Sequence, residues 1–306
     1  MKQTALVLPT PVRAVSTDDP REILSFLATV SNDGGEAALA TLVEIRGGAA
    51  RALGSQVAVS ADGKYCGYVS GGCVEAAVAS EAIKAIAEGR DRVIKYGDGS
   101  PYFDIVLPCG GGVTIAIHVI RGVGPINGVL DNLESRRAAA LRYSPIRQRI
   151  DGAEPPARSG WYDEDFVTVY RPRTRVVVSG ETIEAEVVAA VARASGYDVI
   201  MRSGFRRDLA DAIDEFTAVV MLHHDLEAEE QILGTAMGSA AFYIGALGST
   251  RTHKRRQDRL RDLGWSQFEI DRIKAPIGFF GPTRDANSLA LSVLADVAAS
   301  RLSAYG

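Results

Sequence analysis

Two kinds of hydrophobic pattern divide the chain. In the first half, residues 37–45 and 56–60 have the apolar and β-branched character of strands, while residues 21–30 and 74–87 carry apolar positions at helical spacing. The other elements expected there are strands at 65–69, 93–96 and 113–119 and a helix at 126–141. Because these strands and helices do not alternate regularly, an α+β domain is predicted for residues 17–150.

From residue 175 onward, short buried strands alternate with helices. Three valines at 176–178 begin this alternation, which favours a doubly wound parallel sheet, and hence a Rossmann-like domain, over residues 175–306. Its expected elements are helices at 183–194, 226–237, 250–263 and 287–302 and strands at 199–201, 218–222 and 241–244. Residues 151–174 have the proline and glycine content of a linker, with one strand-like run at 166–170. The predicted fold class is therefore α/β overall.

The composition of the chain argues against several classes of function. The 306 residues are enough for about two domains, and 46% hydrophobic and 24% charged residues are ordinary for a globular protein. A net charge of -4 gives no reason to expect nucleic acid or an anionic membrane as the main partner. No apolar run approaches the ~20 residues of a membrane span. Three cysteines do not make a disulfide framework, so a cytoplasmic, reducing location is expected.

The most informative motif is Ser70-Gly71-Gly72-Cys73-Val74-Glu75. Its cysteine precedes an alanine-rich helix, where unpaired backbone N–H groups and the helix dipole favour the thiolate, the form that attacks electrophiles and binds metals. Glycines beside it permit close approach of a bound group. The alternative is a strand–turn–helix corner with a small buried thiol.

A second cysteine lies in another glycine cluster, Pro108-Cys109-Gly110-Gly111-Gly112. Its N–H groups are suited to an anion-binding nest, although a flexible hairpin explains the composition equally well. Cys73 and Cys109 are candidates to face one cleft, whereas Cys66 lies in an apolar strand and is expected in the core. The absence of Cys-x-x-Cys and the small number of histidines argue against a structural zinc site.

The second domain has an altered dinucleotide fingerprint. Gly180 stands after the first strand, but Thr182 occupies the position of the middle glycine, and Glu181 and Glu184 place negative charge at the helix start. An acidic residue is expected after the second strand to bind ribose, and Ser203 stands there instead, with Arg206 and Arg207 nearby. The two arginines are of the kind that favour a phosphate, as in NADP sites, but the pattern as a whole argues against ordinary NAD binding.

A basic glycine loop follows a later strand of that domain. Gly245, Gly248, Ser249, Thr250 and Arg251 converge where α/β sheets bind ligands, and an anionic ligand would compensate the cations at this helix start. The alternative is a solvated basic face. His223-His224-Asp225 ends the preceding strand, so that either histidine is a candidate ligand or proton carrier, with helix capping by Asp225 as the simpler role.

Together, these residues resemble the XdhC/CoxI family, the maturation factors of xanthine and carbon monoxide dehydrogenases. The similarity runs from about residue 37 to the C-terminus. The motifs that carry it are Ala61-Asp62-Gly63, residues 69–75, Cys109-Gly110-Gly111, His224-Asp225, residues 243–249, Thr252-His253, Arg255-Arg256 and Pro276-Ile277-Gly278.

The resemblance implies a non-catalytic chaperone that binds molybdenum cofactor (molybdopterin), protects it and helps deliver its sulfurated form to an apo molybdenum hydroxylase. It also implies a homodimer with a cysteine desulfurase and the target enzyme as partners. By similarity, Cys73 is the cysteine associated with the cofactor and its metal. The candidate cofactor-binding residues are Ser70, Gly71, Gly72, Cys73, Glu75, Cys109, Gly110, Gly111, His224, Gly245, Gly248, Ser249 and Arg251.

The chain also departs from the family pattern. Thr182, Ile183 and Ser203 replace a glycine, a histidine and an acid, and Ser288 stands where a glutamate is usual. Two alternatives therefore stay open at this point: an NAD(P)-dependent Rossmann oxidoreductase, and a scaffold that bridges a desulfurase and an apo-enzyme without holding cofactor.

Overall fold

The structure, a computed structural model, describes residues 8–100, 110–202 and 209–305. The chain divides into two compact units, Met1–Arg171 and Pro172–Gly306. The mixture of an α+β unit with a parallel-sheet unit confirms the predicted fold class. No helix of the described residues is long and apolar enough to cross a membrane.

The first unit contains ten strands and three helices among its described residues. In chain order they are β1 (Val12–Val15), α1 (Pro20–Asn32), β2 (Ala37–Arg46), β3 (Gln56–Ser60), β4 (Lys64–Gly67), α2 (Glu75–Glu88), β5 (Arg92–Gly97), β6 (Gly112–Val119), α3 (Gly124–Glu134), β7 (Ala139–Ser144), β8 (Arg149–Ala153), β9 (Gly160–Tyr162) and β10 (Asp165–Tyr170). They form a six-stranded sheet of order β1-β4-β3-β2-β6-β5 and a four-stranded sheet of order β8-β7-β10-β9.

Both faces of the larger sheet are covered, which explains its apolar sequence. Successive side chains of a strand point to opposite faces. Leu42 and its neighbours pack with helix α2 on one side, and Leu39 packs with helices α1 and α3 on the other. Helix α1 begins where the Asp19 carboxylate accepts a hydrogen bond from the N–H of Arg21 at 2.8 Å.

Three expectations for this unit differ from the structure. The helix expected over 126–141 ends at Glu134, because the chain turns at Arg136 with a positive φ of 54° and Ala139 then begins strand β7. The segment expected as a linker, 151–174, instead contributes strands to the four-stranded sheet, with Pro155 and Pro156 in the connection between β8 and β9. Strand β1 lies before residue 17, the expected start of the domain, and pairs with β4.

The second unit has a five-stranded parallel sheet of order β12-β11-β13-β14-β15. Its elements are β11 (Arg175–Ser179), α4 (Ile183–Ala194), β12 (Asp198–Arg202), α5 (Leu209–Ala212), β13 (Thr217–Met221), α6 (Leu226–Met237), β14 (Tyr243–Ala246), α7 (Thr250–Asp262), α8 (Gln267–Ile270), β15 (Ile273–Lys274) and α9 (Ala286–Tyr305). This sheet confirms the Rossmann-like prediction. The direction of the crossovers reverses between β11 and β13, the point at which such sheets bind ligands.

Candidate functional site

Cys73 lies in the turn between strand β4 and helix α2 of the first unit. Gly71, Gly72 and Cys73 are all exposed. Cys66, seven residues earlier, is 1% exposed in the core as expected, and burial raises the pKa of its thiol to about 12. The Cys73 turn therefore presents its sulfur at the surface, unlike the buried-thiol alternative.

A buried carboxylate holds this turn in place. Glu75 is 0% exposed, and its Oε1 accepts hydrogen bonds from the N–H of Val69 at 3.1 Å and of Ser70 at 2.8 Å. The hydroxyl of Ser70 lies 2.9 and 3.0 Å from the two Glu75 oxygens. Ser70 Oγ also accepts from the N–H of Cys73 at 3.2 Å. Ser70 and Glu75 thus satisfy the turn's own polar groups and position Cys73.

The two predicted glycine clusters border the same loop. A Cβ on Gly71 would lie 3.5 Å from that of Ala50, and a Cβ on Gly111 would overlap the carbonyl oxygen of Gly48. By contrast, Gly72 and Gly110 have positive φ angles of 110° and 68° and open space beside them. Gly111 is therefore needed for backbone packing, while Gly72 and Gly110 leave room for a bound group. Cys109 lies outside the described residues.

Two arginines near the Cys73 turn were not singled out by sequence reasoning. Tyr68 lies between them, with the guanidinium carbons of Arg13 and Arg51 at 4.3 and 5.2 Å from its ring centre. Arg51 also forms an ion pair with Asp18 at 2.8 Å, and its buried Nε has no hydrogen-bond partner within the described chain. These arginines stand apart in sequence from the turn, and no motif links them to it.

In the second unit, the glycine loop after β14 is built by packing and capping. A Cβ on Gly245 would lie 2.6 Å from the Ile277 side chain, so this buried glycine allows close packing. Ser249 caps helix α7 by accepting a hydrogen bond from the N–H of Thr252 at 3.2 Å. Gly248, with a φ of 131°, places its Cα against Thr252. Arg251 is exposed in the first turn of the helix.

A buried ion pair helps to hold the glycine loop after β14 in place. Arg256, 2% exposed, binds both carboxylate oxygens of Glu229 and donates to the carbonyl of Leu247 at 2.8 Å. Burial and the neighbouring Arg256 lower the pKa of His253. Arg256, one of the arginines that make the start of helix α7 basic in the sequence, is therefore buried and paired with Glu229 rather than exposed.

The two adjacent histidines have different environments. His224, a predicted site residue, is exposed. His223 is half-buried, and its Nε2 lies 2.6 Å from Ser179 Oγ, which bridges the ends of β11 and β13 at the point where the crossovers reverse. Burial lowers the pKa of His223, against the opposing charges of Glu229, Glu181 and Asp225. Of the two histidines, His223 is therefore the one that lies at the crossover reversal, where such sheets bind ligands.

The altered fingerprint loop is a capped helix start. Thr182 caps helix α4 by accepting from the N–H of Ala185 at 3.3 Å. Glu184 and Glu186 lie in the first turn, where they complement the helix dipole. Ser203, Arg206 and Arg207 lie outside the described residues. Within the described ranges, no group of three or more His, Cys, Asp or Glu is arranged to hold a metal ion.

Comparison with known proteins places this geometry in a family. Residues 30–97 match the XdhC and CoxI family, and residues 176–297 match the XdhC Rossmann domain. The chain is 49% identical over 292 residues to the Escherichia coli protein PaoD, described as a molybdenum cofactor insertion chaperone; the match covers 95% of this chain and 92% of PaoD. The chain belongs to the XdhC and CoxI family.

Two further proteins are similar to this chain at lower identity. The uncharacterized Escherichia coli protein YqeB is 25% identical over 261 residues, and the match covers 85% of this chain but 42% of YqeB. A crystal structure described as a xanthine dehydrogenase from Bacillus halodurans shares the fold, with a TM-score of 0.70, 17% identity, and coverage of 92% of this chain and 96% of that one.

Proposed function

We propose that this XdhC/CoxI chain is a molybdenum cofactor insertion chaperone. It binds the cofactor as cargo, protects it and delivers the sulfurated form to an apo molybdenum hydroxylase of the xanthine or CO dehydrogenase type. The similarity to PaoD over 95% of the chain supports this role. The observation that carries it is the exposed Cys73 thiol on a turn held by the buried Glu75.

Cys73 would contact the molybdenum side of the cargo. A thiolate is a soft ligand, suited to transition metals that already carry sulfur ligands. Because Ser70 and Glu75 already hold the backbone of the turn, binding of the cargo requires less ordering of this segment. Gly72 and Gly110 leave space beside it for a flat pterin and for backbone N–H donors.

The anionic end of the cargo requires positive groups. Arg51 and Arg13, which flank Tyr68 near the Cys73 turn, supply two within the first unit. Ser249 and Arg251 at the start of helix α7 supply a second candidate anion site, where the helix dipole also favours negative charge. The proposal assigns no catalytic residue to this chain.

The partners in this proposal are the apo-enzyme, a cysteine desulfurase that supplies sulfur, and a second copy of the chain. The direct test is reconstitution. Chaperone loaded with cofactor under anaerobic conditions is mixed with apo-hydroxylase, and hydroxylase activity is followed against free cofactor at equal concentration. Faster or fuller activation by the loaded chain is expected. Activation no better than with free cofactor contradicts the proposal, and retained partner binding by a Cys73→Ser, Cys109→Ser variant would then favour the scaffold.

An NAD(P)-dependent oxidoreductase is the second candidate, favoured by the parallel sheet and by His223 at its crossover reversal. Against it, Thr182 occupies the fingerprint position and acidic residues surround the helix start. Thermal unfolding with NADH and NADPH separates the two. We expect no shift in melting temperature, and a saturable shift at low micromolar nucleotide would promote the oxidoreductase.

A further inference from the structure

One edge of the parallel sheet in the second unit exposes large apolar side chains. Because the strands are parallel, the segments that follow them begin at the same, carboxyl edge of the sheet. Ile183, which follows strand β11, is 62% exposed, and Phe279 and Phe280, which follow strand β15, are 66% and 52% exposed. Leu291, in the second turn of helix α9, is 58% exposed. Exposed aromatic and aliphatic residues grouped in this way are typical of the centre of a protein–protein interface.

The backbone of the two phenylalanines is held by a buried serine of helix α9. Ser292 is 0% exposed, and its carbonyl oxygen accepts a hydrogen bond from the N–H of Phe279 at 3.0 Å. Its hydroxyl accepts from the N–H of Phe280 at 3.0 Å and donates to the carbonyl oxygen of Phe280 at 2.5 Å. Gly278 permits this approach, because a Cβ there would lie 2.5 Å from Ser292 Oγ. Since the segment is already ordered, binding of a partner requires less ordering of it.

Unpaired positive charge flanks this edge on one face of the sheet. Arg251, Lys254 and Arg255 are exposed in the first two turns of helix α7, and none of them forms an ion pair within the described residues. The first turn of the helix contains no acidic residue, and cations near a helix start oppose the helix dipole. By contrast, the later arginines of the helix each have a carboxylate partner: Arg256, Arg259 and Arg261. The three unpaired cations form the basic side of the edge, which calls for negative charge from a second molecule.

Unpaired negative charge flanks the same edge on the opposite face. Glu181 and Glu186 are exposed and Glu184 is half-buried near the start of helix α4. None of the three forms an ion pair within the part of the chain that the structure describes, and together they form the acidic side of the edge. Helices α4 and α7 lie on opposite faces of the sheet, because α4 packs with Val178 and α7 packs in the cluster of Val177.

We propose that this edge is the interface between two copies of the chain, related by a twofold axis, with the basic side of each copy against the acidic side of the other. A twofold contact is self-complementary and forms the same pairing twice. Charge complementarity selects a second copy as the partner, because the chain itself supplies both signs at one edge. The inference deepens the proposed function by naming the face that the second copy contacts, and it rests on that proposal for the second copy alone.

Charge reversal tests the pairing by analytical ultracentrifugation of the full chain at low ionic strength. The acidic variant carries Lys254→Glu and Arg255→Glu, and the basic variant carries Glu181→Lys and Glu186→Lys. We expect the unchanged chain to be a dimer and each variant alone to be a monomer, because both sides of its edge then have the same net sign. An equimolar mixture of the two variants should be a dimer again, because opposite signs then meet in both contacts.

Three results would each overturn the interface: a monomeric unchanged chain, an undiminished dimer in either variant alone, and a mixture of folded variants that stays monomeric. Thermal unfolding followed by circular dichroism checks that both variants are folded.

A second comparison leaves the charges of the helix starts unchanged. Phe280→Gln should weaken the dimer about tenfold, as expected for an aromatic residue at the centre of an interface. Phe268→Gln is the matched control, because Phe268 is 82% exposed in helix α8, before strand β15 and hence at the opposite edge of the sheet. It should leave the dimer dissociation constant unchanged. Equal dissociation constants for the two variants contradict the proposal.

The interface and the cargo role of Cys73 can fail separately. Cys73→Ser, in the first unit, should remain a dimer. A dimeric chain that activates apo-hydroxylase no better than free cofactor contradicts the cargo role and leaves the interface standing. A monomeric chain that activates apo-hydroxylase better than free cofactor contradicts the interface alone.

Discussion

The turn at Cys73 and the turn at Ser249 contain the same serine hydrogen bond but expose different chemical groups. In each, a serine Oγ accepts the N–H three residues later, Cys73 in the first unit and Thr252 in the second. Ser70 is buried and bound to the buried Glu75, and the turn exposes a soft thiol. Ser249 is exposed at a helix start that presents Arg251. The serine sets the backbone of each turn, and the residues after it decide which group the turn exposes, a thiol at Cys73 or a guanidinium at Arg251.

Replacing the buried residues that hold the two turns, Arg256 and Glu75, should have the largest effects on the free energy of unfolding. Replacing Arg256 by Met leaves Glu229 buried and unpaired, and we expect the second unit to lose about 3–5 kcal/mol of its free energy of unfolding. The chain has two tryptophans, Trp161 in the first unit and Trp265 in the second. Urea unfolding of a Trp161→Phe background therefore follows the second unit alone. Arg255→Met, an exposed neighbour, is the control, and an equal loss in both contradicts the assigned role.

Glu75→Ala is the corresponding change at the Cys73 turn. It removes the acceptor for two backbone N–H groups and a hydroxyl, and we expect a loss of roughly 3 kcal/mol in the first unit. A Trp265→Phe background reports that unit through Trp161. Glu88→Ala, at the exposed end of the same helix, should cost less than about 0.5 kcal/mol. A small effect of Glu75→Ala would mean that the turn does not depend on this carboxylate.

The glycines allow a finer comparison. Gly111→Ala places a Cβ on the backbone of the 46–48 segment and should cost about 1–3 kcal/mol. Gly122→Ala has open space around its Cβ and serves as the control. Both are measured by urea unfolding through Trp161. If Gly111→Ala is as mild as Gly122→Ala, the two glycine clusters are not joined through this loop.

Alkylation of the folded chain is the smallest perturbation, because it leaves the fold intact while it compares the thiols of Cys73 and Cys66. Brief alkylation of the folded chain, mapped by peptide mass spectrometry, should label Cys73 and spare Cys66. Because the pKa of Cys66 is raised to about 12, a change from pH 7 to pH 9 leaves it protonated and should not make it react. Labelling of Cys66 in urea is the positive control. Similar rates at both cysteines in the folded chain would place Cys73 in the core.

Sequence patterns predicted most of the second unit, because its short buried strands alternate with helices and because helices α4, α6 and α7 each begin at a capping side chain. They were less informative for residues 126–170. Apolar residues 139–141 extend a helical pattern, but pairing with β10 makes them a strand. The connection between β8 and β9 contains two prolines and resembles a linker. The motif at Cys73 was visible in the sequence. The buried roles of Glu75 and Arg256 were not, because they depend on partners that only the fold brings near.

In the proposed function, the Cys73 sulfur holds the molybdenum cofactor. The most direct measurement is the molybdenum and pterin content of the chain purified anaerobically from a molybdenum-sufficient host, for the unchanged protein, Cys73→Ser and Cys66→Ala. The unchanged protein and Cys66→Ala should retain both molybdenum and pterin, while Cys73→Ser should lose most of them without unfolding. Undiminished molybdenum and pterin in Cys73→Ser would contradict the account.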